Sequence, residues 1–553
     1  MKQNFLYLFI AFYALFFYTH YDYILANNVE IAGPLIVAIS ICNIALDAAV
    51  ATFLSGLMKK RWFAVAVCTA VWLLCMANVL YLRHFNTYVD ITLIGEVRNF
   101  DILGESLLAL TSWRDLAVSI VFFVAVYLIV WKERWNWGGK IKSYYSVGMA
   151  LLALIGMYGL IAKGTRESFV KALSYITDNV CDSYTRGYMF GMTHYVGYDL
   201  SRLNSNRDIL PEDEALMQRY FKQKSADAAI DSTACSRPPR NIIFYLMEGI
   251  QTDVLREVCL GDTVMPNLLA LADSARYCNL CMESEVSIGL SSDGQLIYMT
   301  GMLPKSDQNT VNHYTFNAYP GLPTACKRLG MQTAMLLPTG RHIWRQEEMC
   351  AAYGIDSLYT TVTLGYDEDD NLTDKAINLL DDIKKKPFFL TLLNMTTHPP
   401  FIKDYDKRLK SFAEKNLADD KQGYYERANF FDFQLGRFIK ALKKKGIWAE
   451  TLVIIASDHH VPDYAKDNKR GKIPFIITGG YQHSLLQGHV KSEEVIYQSD
   501  LDPTLLGLLG IEQKWRGVGR NLFNSNSKRL TDEEKHRLSD MILETNWFAK
   551  RQE

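Results

Sequence analysis

Five long apolar stretches, almost free of charged residues, occupy the first 163 positions of the chain. They cover residues 3–21, 31–58, 63–82, 116–131 and 143–162. A helix that crosses the hydrocarbon core of a bilayer needs about 20 apolar residues, and each stretch supplies a span of that order. The first stretch lacks the small-residue cleavage site of a signal peptide, and further spans follow it. The pattern predicts a transmembrane domain of five helices over residues 1–163.

The basic residues between these stretches predict the orientation of the domain. Lys59, Lys60 and Arg61 follow the second stretch, and four Lys or Arg residues lie within 132–142, whereas 22–30 contains none. Loops rich in Lys and Arg stay in the cytoplasm. The N-terminus is therefore expected to be cytoplasmic, and five spans place everything after residue 163 outside. Residues 164–235 are interpreted as juxtamembrane connecting helices.

Asp47 lies inside the second apolar stretch. A carboxylate within a bilayer is costly, so such a residue is a candidate for function. A polar contact between two membrane helices is the alternative interpretation, and the sequence leaves the role of Asp47 open.

Beyond residue 235 the pattern changes to short apolar runs that alternate with helical periodicity. The runs cover residues 241–247, 334–337, 388–395, 452–456 and 474–478. Continuous apolar strands separated by helices are typical of a parallel sheet that is covered on both faces. We therefore predict an extracytoplasmic α/β domain over residues 236–525. Residues 526–553 form a predicted helical tail, because Thr531 and Glu534 have the spacing of a capping box.

Polar residues follow three of these strands directly. Glu248 follows the first, His398 comes shortly after the third, and Asp458 and His459 follow the fourth. Ligands of open α/β sheets bind beyond the carboxyl ends of the strands. Carboxylate and imidazole groups suit a divalent cation such as Mn²⁺, Mg²⁺ or Zn²⁺. A single Asp or Ser after a strand is usually a helix cap, but three strands together favour a metal site.

The segment 287–294, Ser-Ile-Gly-Leu-Ser-Ser-Asp-Gly, contains candidates for a nucleophile. It is small and polar, and it is suited to open a helix whose N-terminus attracts an anion. A hydroxyl group bound to a divalent cation loses its proton more readily and becomes nucleophilic. The alternative interpretation is a serine that only caps the helix.

Composition and charge exclude several classes of protein. Hydrophobic residues make up 49% of the 553 positions, so the chain is not disordered. Lys and Arg total 59 against 60 for Asp and Glu, so no basic excess indicates nucleic acid as a partner. The acidic run 367–370 is interpreted as a solvated surface rather than a metal site.

Ten cysteines are too few for a disulfide scaffold in a chain of this length. Seven of them follow residue 163: Cys181, Cys235, Cys259, Cys278, Cys281, Cys326 and Cys350. An odd number leaves at least one thiol unpaired within the chain. Cys278 and Cys281 have the spacing of a redox or zinc pair, but buried thiols or a disulfide are the favoured interpretation.

The order of these motifs resembles the lipoteichoic acid synthase family of the sulfatase and alkaline phosphatase superfamily, over essentially the whole chain. Residues 241–248 resemble the first strand of that family with its metal-binding Glu, and 289–293 resemble its Gly-Lys-Thr-Ser-Asp segment. Residues 394–401 resemble Thr-Asn-His-Phe-Pro-Phe, and 457–459 resemble Gly-Asp-His. Residues 500–506 resemble the Asp-x-x-Pro-Thr-Leu-Leu helix of the superfamily.

The resemblance implies that Glu248, Ser291, Asp458 and His459 bind one divalent metal, Mn²⁺ before Mg²⁺ or Zn²⁺. Ser291 matches the position of the Thr nucleophile of the family, and the adjacent Ser292 is its rival. His398 is implied to hold the phosphate of the substrate or to act as a general acid and base.

The substrate pocket departs from the pattern of the family. That family has a Phe-Trp-Asn-Arg segment with a His seven residues before the Trp. Here Trp344 matches, Arg345 is displaced by one position, and Leu337 stands where the upstream His is expected, with His342 as a substitute. An Arg at this site pairs with phosphate. The mismatch leaves phosphoglycerol and phosphoethanolamine open as the transferred group.

The sequence therefore predicts a metal-dependent transferase in a bacterial cytoplasmic (inner) membrane. The implied reaction moves a phospholipid head group through a phospho-Ser291 intermediate to a glycan, lipid or polymer acceptor of the cell envelope. A membrane-anchored hydrolase of the superfamily (phosphatase, phosphodiesterase or sulfatase) is the alternative. No Cys/Ser-x-Pro-x-Arg segment lies near Ser291, which disfavours sulfate hydrolysis. A degenerate non-enzyme is disfavoured because all four metal positions are filled.

Overall fold

The computed structural model describes residues 2–26, 34–57, 61–85, 88–89, 110–128, 143–165, 192, 207–231, 238–306, 308–362, 367–399, 401, 419–461 and 471–551. These residues form two compact units, one N-terminal to residue 205 and one C-terminal to it apart from 306–308. Lys59, Lys60 and residues 132–142 lie outside the described residues, as do Cys181, Cys235 and the parts 166–191, 193–206 and 232–235 of the predicted connection.

Five helices of the first unit coincide with the five apolar stretches. They are α1 (Lys2–Ala26), α2 (Pro34–Leu57), α3 (Arg61–Phe85), α4 (Trp113–Tyr127) and α5 (Ser143–Thr165). Within the described part of the chain, the segment Trp62–Arg83 is long and apolar enough to cross a membrane, whereas Ile41–Ala51 and Val147–Leu160 are shorter apolar segments. The helical prediction is confirmed, and the count of five crossings stays a prediction.

Arg83 joins three of these helices through all five of its N–H groups. Its Nε and Nη2 donate to Asp22 in α1 at 3.1 and 2.8 Å. Its Nη1 and Nη2 donate to Asp115 in α4 at 2.7 and 2.9 Å, and Nη1 also donates to the carbonyl of Leu110 at 2.8 Å. The two carboxylates are buried. A guanidinium group has five N–H donors, so the residue is saturated and serves to hold the helices together.

Replacing Arg83 with Met is expected to lower the stability of the first unit by about 3–5 kcal/mol, because two buried carboxylates lose their partner. Arg83→Lys retains the charge but supplies fewer donors in the wrong geometry, so it restores only part of the loss. Thermal unfolding of the detergent-solubilised protein measures the effect. Arg114→Met is the control, since Arg114 is an exposed residue of the same region. Equal melting temperatures for the two Met variants would contradict the prediction.

The second unit contains a central sheet with helices on both faces. Its helices are α6 (Pro211–Asp231), α7 (Thr252–Arg256), α8 (Pro266–Asp273), α9 (Ser291–Thr300), α10 (Thr310–His313), α11 (Leu322–Arg328), α12 (Gln346–Tyr353), α13 (Asp369–Ile383), α14 (Asp419–Lys444), α15 (Leu501–Leu508), α16 (Asp532–Thr545) and α17 (Trp547–Arg551). Its strands are β1 (Asn241–Met247), β2 (Val258–Cys259), β3 (Asp262–Thr263), β4 (Tyr277–Glu283), β5 (Gln332–Leu337), β6 (Ser357–Thr360), β7 (Phe388–Leu393), β8 (Thr451–Ser457), β9 (Ile473–Gly479), β10 (Val490–Ser492) and β11 (Ile496–Tyr497).

All five predicted strands are present in the sheet, whose order is β10-β4-β9-β8-β1-β7-β5-β6, with β11 also pairing with β4. The strands β8, β1, β7, β5 and β6 are parallel, as predicted. The prediction was wrong for β9, which is antiparallel to β8 and β4. Consecutive strands can pair antiparallel after a simple reversal of the chain, whereas parallel neighbours require a crossover.

The C-terminal tail is helical, as the capping box predicts. Thr531 Oγ1 accepts from the Glu534 amide at 3.2 Å, and the Glu534 carboxylate accepts from the Thr531 amide at 2.9 Å. Buried side chains of α16 and α17, among them Ile542 and Trp547, belong to the core on one face of the sheet. Such burial is worth about 1.5–3 kcal/mol per large apolar side chain, so the tail contributes to the stability of the sheet domain.

Candidate active site

Glu248, Asp458 and His459 form a buried cluster at the carboxyl ends of β1 and β8. The two strands are parallel neighbours with Met247 opposite Ser457, so the residues that follow each strand come together. One ligand atom from each of the three side chains lies within 4.8 Å of the others. Two carboxylates and an imidazole match the donors that Mn²⁺, Mg²⁺ and Zn²⁺ accept in proteins.

Hydrogen bonds orient the imidazole of His459. Its Nδ1 lies 2.6 Å from the carbonyl of His460, and a carbonyl can only accept, so Nδ1 carries the proton. The other nitrogen, Nε2, lies 3.0 Å from Glu248 Oε1. In the neutral imidazole Nε2 therefore carries the lone pair that a metal requires, and the His460 carbonyl fixes this tautomer.

Asp458 carries an oxygen that no hydrogen-bond donor reaches. Its Oδ1 accepts from the Gly249 and His459 amides at 2.9 and 2.7 Å, whereas Oδ2 is buried without a partner. Burial raises the pKa of Asp458 well above its ordinary value, and the neighbouring charge of Glu248 adds to this effect. A buried carboxylate oxygen of this kind is stabilised by a cation, so the cluster fits a divalent metal.

The pKa values of Glu248 and His459 are shifted because the charged groups of the cluster lie close together. Burial alone would raise the pKa of Glu248, but the charges of His459 and then His398 lower it. Burial alone would lower the pKa of His459, but the carboxylates of Asp458 and Glu248 raise it. Without a cation, the imidazolium partly neutralises the two acids. A bound cation would take over this role.

The backbone of Glu248 is anchored by the turn that follows β7. Its amide donates to Asn394 Oδ1 at 2.8 Å, and its carbonyl accepts from Thr397 Oγ1 at 2.5 Å. Both partners are buried. The turn after β7 therefore helps to position Glu248, and it also carries His398. The Nδ1 of His398 lies 2.6 Å from the Pro399 carbonyl.

Ser291 faces the cluster, and Ser292 does not. Ser291 Oγ donates to Glu248 Oε2 at 2.8 Å and lies 3.1 Å from His459 Nε2. Ser292 is buried, and its hydroxyl group donates to the Gly289 carbonyl at 2.8 Å within its own turn. The structure thus brings Ser291 together with Glu248, Asp458 and His459, while the hydroxyl of its rival is engaged elsewhere.

The turn before Ser291 is strained and tightly braced. Leu290 has φ 42° and ψ −108°, a conformation that a residue with a Cβ rarely adopts. The Asp293 carboxylate accepts from the amides of Ser287 and Gly289 at 2.9 Å each. Burial raises the pKa of Asp293 to about 7, although these two N–H groups oppose the rise. The turn presents Ser291 at the first position of α9, where the helix dipole favours an anion.

Gly294→Ala is expected to impair the site more than its fold. A Cβ at this position would lie 2.4 Å from the carbonyl oxygen of Asp458. Because this oxygen is a backbone atom, it can move away only if the turn around Asp458 shifts. Such overpacking costs about 1–3 kcal/mol and would push α9 away from Asp458. We expect activity to fall about 100-fold, as for a misplacement of about 1 Å.

Gly159→Ala in α5 is the control for Gly294→Ala, because no heavy atom lies within 4 Å of its Cβ position. Turnover per folded protein is the measurement. Equal turnover in the two variants would show that α9 does not need its close approach to Asp458.

Asp369 corrects the interpretation of the acidic run 367–370. The run was expected to be solvated, but Asp369 is fully buried. Its Oδ1 accepts from the amides of Met395 and Thr396 at 2.9 and 3.2 Å. The carboxylate therefore braces the turn that carries His398, and the residue satisfies backbone donors rather than water.

Trp344 and Arg345 lie in the 3₁₀ turn Ile343–Arg345, which follows β5 and precedes α12. Both have left-handed backbone conformations, with φ 48° and 52°. Arg345 Nη1 donates to the Asn312 carbonyl at 3.3 Å and to Thr315 Oγ1 at 3.1 Å. Two successive strained residues indicate a functional constraint, and the substrate-binding role of this turn stays a prediction. Leu337 is the buried last residue of β5.

The cysteines of the second unit are thiols in the described part of the chain. The free residues are Cys259, Cys278, Cys281, Cys326 and Cys350. Burial raises the pKa of Cys278 to about 11 and that of Cys350 to about 12, so these thiols are unreactive. Cys278 and Cys281 are both free thiols, the first buried and the second half-buried, so the disulfide interpretation does not apply to this pair.

The sequence pattern did not reveal three buried residues that form hydrogen bonds to the segments of this site: Asn394, Asp369 and Gln498. Asn394 directly follows β7, and this position after a strand could have identified it as a candidate site residue. Asp369 is hidden in a run of charge. Gln498, which donates to the Asp458 carbonyl at 2.7 Å, lies 40 residues further along the chain and has no local signal.

Comparison with known proteins finds matches for both parts of the chain. A family model described as the lipoteichoic acid synthase N-terminal domain matches residues 1–207, and the Sulfatase model matches residues 240–511. The lipoteichoic acid synthases of Staphylococcus saprophyticus and Staphylococcus aureus are 22% identical over 528 and 547 residues. These alignments cover 90% and 93% of this chain, and 80% and 83% of the two relatives.

The fold is also found among solved structures. The integral membrane lipooligosaccharide phosphoethanolamine transferase from Neisseria meningitidis matches with a TM-score of 0.53 at 12% identity. The match covers 93% of this chain and 96% of the transferase. A lipoteichoic acid synthase N-terminal domain thus precedes a sulfatase-like α/β domain. The chain belongs to the lipoteichoic acid synthase-like family of the sulfatase superfamily, and it is a phosphotransferase of that superfamily.

Proposed function

We propose that this protein transfers the head group of a membrane phospholipid to an acceptor of the cell envelope, with Ser291 as the nucleophile. The observation that carries the proposal is the position of Ser291 Oγ, which lies 2.8 Å from Glu248 Oε2 and 3.1 Å from His459 Nε2. A hydroxyl group at the start of a helix, beside a cluster suited to a divalent cation, is arranged to attack phosphorus.

The proposed reaction has two steps. With its proton already lost to solvent, Ser291 Oγ forms a bond to phosphorus, the bond from phosphorus to the diacylglycerol oxygen breaks, and the head group stays on Ser291 as a phosphoester. An acceptor hydroxyl then attacks the same phosphorus and releases Ser291 as the alkoxide. His398 gives a proton to the leaving diacylglycerol oxygen and takes one from the acceptor. Glu248, Ser291, Asp458 and His459 would hold a divalent cation, which would lower the pKa of the Ser291 hydroxyl and neutralise phosphate charge.

The membrane assignment supports the choice of donor. The match to the lipoteichoic acid synthase N-terminal domain and the apolar segment Trp62–Arg83 support a membrane location. We further propose five membrane crossings, a cytoplasmic N-terminus and an extracytoplasmic active site. The proposed domains cover residues 1–163, 164–235, 236–525 and 526–553. A donor lipid confined to the same membrane then meets the enzyme at high effective concentration.

Two head groups remain candidates, phosphoglycerol and phosphoethanolamine. The relatives include lipoteichoic acid synthases and a phosphoethanolamine transferase. Arg345 is proposed to pair with the phosphate of the donor, and Trp344 to cover its head group. Mn²⁺ is the proposed metal, with Mg²⁺ and Zn²⁺ as alternatives.

The test uses the purified full-length protein with Mn²⁺ and vesicles that contain phosphatidylglycerol and phosphatidylethanolamine. Mass spectrometry follows release of diacylglycerol and the mass added to the Ser291 peptide. We expect diacylglycerol together with a phosphoglycerol or phosphoethanolamine adduct, and the adduct identifies the donor. Hydrolysis of a soluble phosphate or sulfate ester without turnover of either lipid would replace the proposal with the hydrolase alternative.

A further inference from the structure

Gln498 is a fully buried amide whose two ends hold different parts of the active site. Its Oε1 accepts from the Glu285 amide at 2.7 Å and from Ser284 Oγ at 3.3 Å. Its Nε2 donates to Tyr298 Oη at 3.1 Å and to the Asp458 carbonyl at 2.7 Å. A primary amide offers two donors and two acceptor sites, so all of its capacity is used.

The partners of Gln498 belong to segments that carry the proposed reactive groups. Ser284 and Glu285 open the loop that leads to Ser291, and Tyr298 lies two turns along α9, the helix that Ser291 begins. Asp458 carries one of the two carboxylates of the candidate metal cluster. One side chain therefore connects the loop and the helix of the nucleophile with the turn of the metal ligands.

The Tyr298 hydroxyl group extends the connection. It accepts from Gln498 and donates to the Ser457 carbonyl at 2.6 Å. The Asp458 carbonyl that accepts from Gln498 also lies directly against Gly294 of α9. Two neighbouring carbonyl groups at the end of β8 are thus held to α9 by hydrogen bonds and by close packing. Networks of buried polar groups are rigid when every member is satisfied.

The position of Gln498 itself is secured by the sheet and the C-terminal helix. The strand β11, which ends one residue earlier, pairs with β4 so that Tyr497 lies opposite Glu283. The amide of Ser499 donates to Glu285 Oε2 at 2.7 Å, and the buried Lys535 of α16 donates to Glu285 Oε1 at 2.8 Å. These contacts hold the backbone around Gln498 in place relative to β4 and α16.

We propose that Gln498 is a positioning residue that sets the distance between Ser291 and the Asp458–His459 turn. This inference rests on the proposed function, because it assigns the role through the attack of Ser291. None of the hydrogen bonds of Gln498 goes to a side-chain atom of Glu248, Ser291, Asp458 or His459. Its loss moves the nucleophile relative to the ligands while each ligand retains its own hydrogen bonds.

Gln498→Glu tests the proposal with almost no change in volume. A carboxylate retains an acceptor for the Glu285 amide but has no donor for the Asp458 carbonyl, which it repels. We expect kcat for diacylglycerol release to fall about 10- to 100-fold, the range of a displacement of about 1 Å. KM and the Kd for Mn²⁺ are expected to stay within about threefold of the wild-type values, since binding groups are untouched.

Tyr298→Phe provides a second variant if the buried charge of Gln498→Glu prevents folding. It removes the hydroxyl group in the middle of the network and retains the ring. We expect a smaller loss of kcat with the same KM. In the double variant the loss is expected to match that of Gln498→Glu alone, because residues of one network are not additive. Gln482→Ala, at an exposed glutamine, is the control.

Two outcomes would overturn the inference. One is a wild-type kcat in Gln498→Glu, and the other is a parallel fall of kcat, Mn²⁺ affinity and melting temperature, which indicates a general structural role. Failure of the proposed function is separate, because it shows as absence of diacylglycerol release by the wild-type protein. The same kcat and KM comparison is then made on the soluble ester that the wild-type protein hydrolyses.

Discussion

Ser291→Ala is expected to reduce diacylglycerol release by at least about 10³-fold and to eliminate the covalent adduct. The reason is chemical, because Ala has no oxygen to bond to phosphorus, and loss of a nucleophile removes the covalent route altogether. Binding of Mn²⁺ is expected to persist, since Glu248, Asp458 and His459 remain. The measurement combines turnover of the lipid vesicles with mass spectrometry of the peptide that contains position 291.

Ser292→Ala is the matched control for the adjacent position. Its hydroxyl group donates to the Gly289 carbonyl within its own turn, so its loss is expected to cost about 0.5–1.5 kcal/mol of stability and little activity. Ser291→Thr retains a hydroxyl group at the same place and is expected to retain the adduct. An adduct at position 292, or full activity in Ser291→Ala, would refute the assignment of the nucleophile.

Asp458→Asn is expected to have opposite effects on the metal-free protein and on its response to metal. The metal-free protein should melt at a higher temperature, because the variant replaces a buried carboxylate whose Oδ2 has no partner and which faces the charge of Glu248. The affinity for Mn²⁺ should fall by at least about 100-fold, since even the loss of a group that only orients a ligand costs about 10- to 100-fold.

Thermal unfolding with and without Mn²⁺ separates the two effects. In the wild-type protein, Mn²⁺ at 100 times its Kd should stabilise the folded state by about 2.7 kcal/mol, and Asp458→Asn should lose this response. Asp502→Asn is the matched control, because Asp502 is equally buried and both of its carboxylate oxygens lack a partner. Asp502→Asn should melt higher and retain the Mn²⁺ response. A normal response in Asp458→Asn would remove Asp458 from the ligand set.

The residues of the active-site cluster could be predicted from their positions after apolar strands. Glu248, Asp458 and His459 were predictable, because Glu248 directly follows one continuous apolar run and the other two come just after the end of another. Parallel strands align their carboxyl ends, so Glu248 and His459, 211 positions apart in the chain, meet without any local signal of the contact. The rule requires only that the strands be neighbours and parallel, which β1 and β8 are.

Local sequence rules could not decide which of two adjacent serines faces the cluster, whether an acidic residue is buried, or in which direction a strand runs. Ser291 and Ser292 have the same chemistry and adjacent positions, and the strained backbone at Leu290 decides which hydroxyl group faces the cluster. Asp369 belongs to a run of charge, but burial turns it into a partner for backbone amides. Periodicity identified β9 as a strand without revealing its antiparallel direction, because alternation and apolarity are the same in either direction.

The sequence by itself determined the apolar N-terminal helices, the α/β character of the second unit and the residues that end β1 and β8. These features depend on the order of apolar and polar positions, which is local information. The tertiary structure alone decided which serine faces the cluster, how Arg83 joins three helices, and that Gln498 connects the two sides of the active site. Each of these depends on the direction of a side chain within a packed interior, where satisfying every buried polar group selects one arrangement.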